Sequence, residues 1–230
     1  MRFRNRAEAG RALAARLAAL RDREDVLVLA LPRGGVPVGY EVATILHVPL
    51  DVFVVRKLGL PGQPELAMGA IASGGIRVLN PEVVECAGVP APVIDAVAAQ
   101  EQRELERRER QYRGDAPPPS IRGRTIVLVD DGLATGSTMR AAAAAVRQQE
   151  PAGVIVAVPV APPSTCEALR RDPAVDDAVC VFMPESFSAV GLWYEDFAQT
   201  TDEDVRDLLD RARRAWHSHD AAGRAGSRGE

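Results

Sequence analysis

Apolar runs of strand length alternate along this chain with helix-length stretches, and glycine-rich or proline-rich turns separate them. Leu13, Leu17 and Leu20 fall on one helical face, which predicts an amphipathic first helix. Val26 to Leu31 is apolar and ends in Pro-Arg-Gly-Gly, the pattern of a buried strand and a tight loop. A helix is predicted over about 36–46 and a second buried strand over 50–55. Residues 58–65 hold two prolines and two glycines and are read as an irregular loop. The runs 67–72 and 76–79 flank Ser73-Gly74-Gly75, which predicts a hairpin. Residues 93–113 read as a long charged helix with a solvated face. Its acid-before-base pairs are Glu104 with Arg108, Glu106 with Arg110, and Glu109 with Arg113. After the stiff segment Pro117-Pro118-Pro119, strands are expected at 125–130, 153–160 and 178–183, with helices at about 137–149, 164–171 and 201–216. This rhythm predicts an α/β fold: a mostly parallel, twisted sheet flanked by helices. One domain over 1–216 is expected, with a disordered polar tail over 217–230.

Composition narrows the function classes. The chain has 230 residues, 47% hydrophobic and 26% charged, which is ample for a core and too apolar for a disordered protein. A net charge of −4 argues against nucleic-acid binding, which needs clustered cations. No apolar run reaches the roughly 20 residues of a membrane helix. The Arg- and Ala-rich residues 2–21 resemble a transit peptide only superficially, because Glu8 and Asp22 interrupt their charge. Cys86, Cys166 and Cys180 are odd in number and widely spaced, so they read as small buried thiols in a reducing cytoplasm. His217 and His219 fall in the polar tail and read as surface residues without a metal.

The strongest chemical signal lies at 125–141: an apolar strand, two aspartates, a small-residue loop, then an alanine-rich helix. A loop at a helix N-terminus offers backbone N–H groups and the helix dipole to a phosphate. Gly132 and Gly136 allow close approach, and Thr135, Ser137 and Thr138 add hydroxyl donors. Two acids beside a phosphate site would repel it. Asp130 and Asp131 make sense if they accept hydrogen bonds from adjacent sugar hydroxyls. A Walker loop would need a lysine here, and a dinucleotide fingerprint would need three spaced glycines; neither is present.

The segment Val127-Leu-Val-Asp-Asp-Gly-Leu-Ala-Thr-Gly-Ser-Thr138 resembles the signature of type I phosphoribosyltransferases. The resemblance implies that Asp130 and Asp131 hold the ribose hydroxyls of phosphoribosyl pyrophosphate, and that Ala134 to Thr138 hold its 5-phosphate. It implies a Mg²⁺ cofactor at Asp130 and Asp131, directly or through water. Arg33, Gly34 and Gly35 are similar to the family's pyrophosphate turn. Arg56 and Lys57 close the second strand, where the family places cations. Lys57 is the chain's only lysine, which suits chemistry that wants a compact ammonium. Arg33, Lys57 and Asp131 are therefore the expected catalytic residues. Residues 58–75 would form a lid, and about 184–200 a hood over the base. Phe182, Phe187, Trp193, Tyr194 and Phe197 crowd that region, and Trp193 and Tyr194 are the candidate base contacts.

Over about 1–212 the chain also resembles a bacterial set of stand-alone phosphoribosyltransferase-domain proteins. The likeness lies in 31–43, 54–71 and 187–205, including Trp193-Tyr194-Glu195-Asp196-Phe197. One departure matters: 6-oxopurine enzymes carry an aspartate where this chain has Ala134. The expected reaction is transfer of phosphoribose to a small nitrogenous base with release of pyrophosphate, in the cytoplasm. Dimers are common in the family. The alternative is a phosphoribosyl-pyrophosphate sensor without turnover.

Overall fold

A computed structural model describes residues 2–114 and 116–226. In chain order the elements are α1 (Arg6–Arg16), β1 (Val26–Ala30), α2 (Gly35–Leu46), β2 (Leu50–Val52), β3 (Val55–Leu60), β4 (Gln63–Ala72), β5 (Ile76–Leu79), α3 (Pro81–Cys86), α4 (Ala91–Arg113), β6 (Thr125–Val129), α5 (Ser137–Arg147), β7 (Gly153–Val160), α6 (Pro163–Arg170), β8 (Asp177–Phe182) and α7 (Asp202–Gly226).

Five strands form a parallel sheet in the order β2-β1-β6-β7-β8. The apolar runs of β1, β2 and β6 and most of β7 are buried on both faces, as a parallel sheet with helices on each side requires, while the edge strand β8 is mostly half-buried. Alternation along β1 divides the core. Val26, Val28 and Ala30 face the layer of α1, α2 and α7, whereas Leu27 and Leu29 face that of α5 and α6. The expected α/β architecture is the observed one.

The strand order reverses direction at β1 and β6. The chain leaves β1 towards β2 on one side and leaves β6 towards β7 on the other, while β1 and β6 pair in register from Val26 opposite Thr125 to Ala30 opposite Val129. Such a switch point opens a crevice at the carboxyl ends of the two strands, where open α/β sheets bind ligands. The loops after β1 and after β6 therefore face one another.

Several expectations are corrected. Residues 58–65 are not an irregular loop: β3 and β4 pair antiparallel, and β4 pairs on with β5 in a separate three-stranded sheet. Pro61 and Gly62 occupy the turn, where Gly62 takes φ +84°, so the residues that argue against regular structure serve the reversal. Arg56 and Lys57 lie on β3 rather than at the end of β2, which stops at Val52. Only the hairpin after residue 67 was legible, because its turn, Ser73-Gly74-Gly75, is glycine-rich. The tail is helical as far as Gly226, since 217–226 continue α7; 227–230 lie outside the described residues. Asn80 and Pro81 start α3, which the strand reading missed; the Asn80 side chain accepts a hydrogen bond from the Val83 N–H.

The cysteines also differ from expectation. Cys166 in α6 and Cys180 in β8 form a disulfide, and Cys86 is exposed. Linear spacing did not reveal the pair, because only the packing of α6 on β8 brings the two together. On α4, Glu104 pairs with Arg108 at 2.9 Å and Glu109 with Arg113 at 2.9 Å, whereas Glu106 accepts from Gln102 instead of Arg110. Ile94, Ala98, Leu105 and Tyr112 bury the opposite face of that helix. No described helix is long and apolar enough to cross a membrane.

Candidate functional site

Asp130 and Asp131 follow the last residue of β6, and α5 begins at Ser137. The loop between them is held from below. The Leu133 N–H donates to the Val160 carbonyl at 2.9 Å, and the Thr165 hydroxyl donates to the Ala134 carbonyl at 2.6 Å. Gly132 is required by contact: a Cβ there would lie 2.7 Å from Val190 and 2.8 Å from Val160. Gly136 takes φ +72° as it enters α5. With the backbone fixed from inside, Ala134, Thr135, Ser137 and Thr138 are exposed. Thr135 and Ser137 hydroxyls lie 3.1 Å apart. The outer rim thus presents three hydroxyls and the N–H groups of the first turn of α5, of which the Ser137 N–H donates to Thr135 Oγ1 at 3.4 Å.

The β1 loop packs onto the acids. A Cβ on Gly35 would lie 2.7 Å from the Val129 carbonyl and 2.9 Å from Asp130 Cα, and one on Gly34 would collide with the Asp131 carboxylate. These two glycines let the turn lie directly against the end of β6.

The acid pair is electrostatically loaded. Burial raises the Asp130 carboxyl well above the usual range, and the neighbouring Asp131 charge adds to this. Burial also raises Asp131, against the opposing pull of Arg6. Arg6 donates to Asp131 Oδ2 through Nε at 2.9 Å and Nη2 at 2.8 Å, and through Nη1 to the Ala198 carbonyl at 2.7 Å. Its guanidinium carbon sits 4.0 Å from the centroid of the Phe197 ring. The Tyr194 hydroxyl donates to the Asp131 carbonyl oxygen, and burial, then the Asp131 charge, push that phenol up.

The remaining predicted residues are dispersed. Lys57 lines a cavity of about 680 Å³ between the small sheet and α5, together with Ser137, Thr138 and Arg140. Arg56 turns to α4, where it meets Glu101 at 2.6 Å. Arg33 lies 3.8 Å from Asp202 in a polar cleft of about 190 Å³, shared with Arg107, Arg108 and Tyr112. Trp193 packs between Phe182 and Phe187, with ring centroids 5.2 and 6.4 Å away. Tyr194 is buried beside Phe3 and Phe197. It buttresses the site through its hydroxyl and presents no open face. Phe197 is the more exposed aromatic, at 38%. Sequence reading missed Arg6, because nothing local marks a residue that meets its partner 125 positions away.

A parallel α/β domain with an acid pair and a hydroxyl-rich helix-entry loop at its switch point is the class these features define. Residues 3–182 match the family model described as the phosphoribosyl transferase domain, and the chain belongs to that family. A Mycobacterium tuberculosis protein, named by family as a phosphoribosyl transferase, is 47% identical over 212 residues. That match covers 92% of this chain and 47% of the relative, so the chain spans about half the length of the curated relatives it matches. The crystal structure of TT1426 from Thermus thermophilus is 45% identical, with a TM-score of 0.80, covering 91% of this chain and 98% of that one.

Proposed function

We propose that the chain binds phosphoribosyl pyrophosphate with Mg²⁺ and transfers phosphoribose to a small nitrogenous base, releasing pyrophosphate. The observation that carries this reading is the juxtaposition at the switch point. An acid pair stands at the end of β6, a phosphate-competent helix terminus follows it, and a second glycine turn packs against the acids.

The division of labour follows from charge. The exposed Thr135, Ser137 and Thr138 and the N–H groups of α5 would receive the 5-phosphate. Asp130 and Asp131 would accept hydrogen bonds from the ribose hydroxyls. Their hard carboxylate oxygens suit Mg²⁺, which would supply positive charge to the leaving pyrophosphate. Gly34 and Gly35 pack against the acids, and Arg33 and Lys57, each lining its own cleft, would supply cations to the pyrophosphate. Arg56 would join them only by leaving Glu101. Carbon 1 would gain oxocarbenium character as pyrophosphate departs. The β3–β4 hairpin would then exclude water as a lid. Trp193 and Tyr194 would shape the base side of the hood, Tyr194 by positioning Asp131.

Calorimetric titration with phosphoribosyl pyrophosphate and Mg²⁺ tests binding, and pyrophosphate release with each nucleobase tests turnover. Micromolar binding and base-dependent release are expected. Binding without release from any base would overturn the transferase and leave a sensor. No binding would remove the ligand.

A further inference from the structure

The chain turn after α1, the end of α2 and the third quarter of α7 meet on a face remote in sequence from the phosphate loop. Asp22, His47 and His219 are all exposed there, with one donor atom from each lying within 4.8 Å of the others. His47 Nδ1 is 2.8 Å from Asp22 Oδ1, and His219 Nε2 is 3.8 Å from the same oxygen. An ion bound tetrahedrally at about 2.0 Å needs ligand atoms roughly 3.3 Å apart. The two separations from Asp22 bracket that edge, and the two imidazole donors lie within 4.8 Å of each other.

Two of the three ligands are held by backbone rather than left to wander. Asp22 takes φ +58° and His47 φ +53°, the left-handed region that non-glycine residues rarely occupy. The Asp22 N–H donates to the Leu46 carbonyl at 2.8 Å, so the turn is stitched to the end of α2. His219 is oriented by its ring neighbours: Trp216 stacks on it at 6.3 Å and the His47 ring lies at 4.8 Å. A small gap of about 40 Å³, lined in part by Ala43, Val48, Ala212 and Trp216, lies beside the two imidazoles. An apolar wall of this kind limits water on one side of an ion.

We propose that Asp22, His47 and His219 form a binding site for a divalent transition metal of the zinc class. Two imidazoles and one carboxylate suit Zn²⁺, Ni²⁺ or Cu²⁺ and disfavour Mg²⁺ and Ca²⁺, which prefer all-oxygen shells. The ion would tie α7 to the far end of α2, whose near end carries the Gly34-Gly35 turn. It would stabilise the fold by mass action. The inference is independent of which ligand the phosphate loop takes.

The test uses the full chain with Cys86→Ser, without reductant, so that exposed thiolate does not compete for metal. Calorimetric titration with Zn²⁺ is expected to show micromolar uptake at this site. His47→Ala and His219→Ala should each weaken that uptake at least about tenfold, since loss of even an outer-shell partner does as much. Zn²⁺ should raise the melting temperature of the parent and not of either variant. Metal-free melting of His219→Ala close to the parent would show that the variant folds; if it does not, Asp22→Asn takes its place. No uptake by the parent at about 100 μM Zn²⁺, or equal uptake by parent and variants, would overturn the site and leave a simple Asp22–His47 hydrogen bond.

Discussion

Asp131 meets Arg6 through its carboxylate, Tyr194 through its carbonyl oxygen and Gly34 through direct packing. The Arg6 and Asp131 side chains are only 12% and 13% exposed, so this pair is shielded from the screening that weakens surface ion pairs. Arg6→Ala leaves a largely buried carboxylate without its cation. A destabilisation of about 1–3 kcal/mol is expected by urea denaturation. An unchanged midpoint would mean that solvent already satisfies Asp131. The acids make a separate prediction. On the proposed reading, Asp130→Asn with Asp131→Asn weakens the acceptors offered to two ribose hydroxyls. Affinity for phosphoribosyl pyrophosphate should fall at least about tenfold, while circular dichroism remains that of the parent. Undiminished affinity in the double variant would refute the ribose assignment.

At the scale of elements, register is what carries the site. β1 and β6 must align for their two loops to meet, and Asp25 helps set this alignment. Its carboxylate accepts from the Thr125 hydroxyl at 2.8 Å and from Arg23 at 2.7 and 3.0 Å. The Arg23 and Thr125 hydrogen bonds hold the Asp25 pKa down to about 2. A carboxyl depressed on folding contributes stability that is present above its unfolded value near 3.9 and is lost as pH falls towards 2. Asp25→Asn should therefore flatten the fall in melting temperature between about pH 4 and pH 2. NMR titration of the parent should place the Asp25 carboxyl near 2; a value near 4 would show that the contact with Arg23 and Thr125 is not made in solution. The hairpin β3–β4 illustrates the opposite case. Its prolines and glycines argued for a loop, yet pairing across Pro61-Gly62 decided otherwise.

At the scale of the molecule, α4 joins the two sheets. Glu101 holds Arg56 of β3, while Arg113, buried at its far end, donates to Asp51 at 2.8 Å and to the Val52 carbonyl at 2.6 Å. Arg113 is 7% exposed and Asp51 8%, so removing one partner strands a buried charge. Arg113→Ala should cost about 3–5 kcal/mol. Chemical denaturation reads this directly, and a loss below about 1 kcal/mol would show that water enters the gap. The charged sequence of α4 suggested only a solvated surface. The helix also uses one arginine and one glutamate to tie the β3–β4 hairpin and the parallel sheet together.

The alternation of strands and helices and the loop at 130–138 were written in the chain. Both depend on neighbours a few residues apart: apolar periodicity in one case, and in the other a run of acids, glycines and hydroxyls entering a helix. What only the tertiary structure decided was which distant side chains meet that loop. Arg6 reaches Asp131, Thr165 holds Ala134, Tyr194 props the acid pair, and the three predicted cations lie in three different surroundings. Cys166 with Cys180, and Asp22 with His47 and His219, belong to the same class. Local pattern sets an element's conformation through forces acting within a few residues. The meeting of remote residues follows from how the elements pack, which is a property of the whole folded chain.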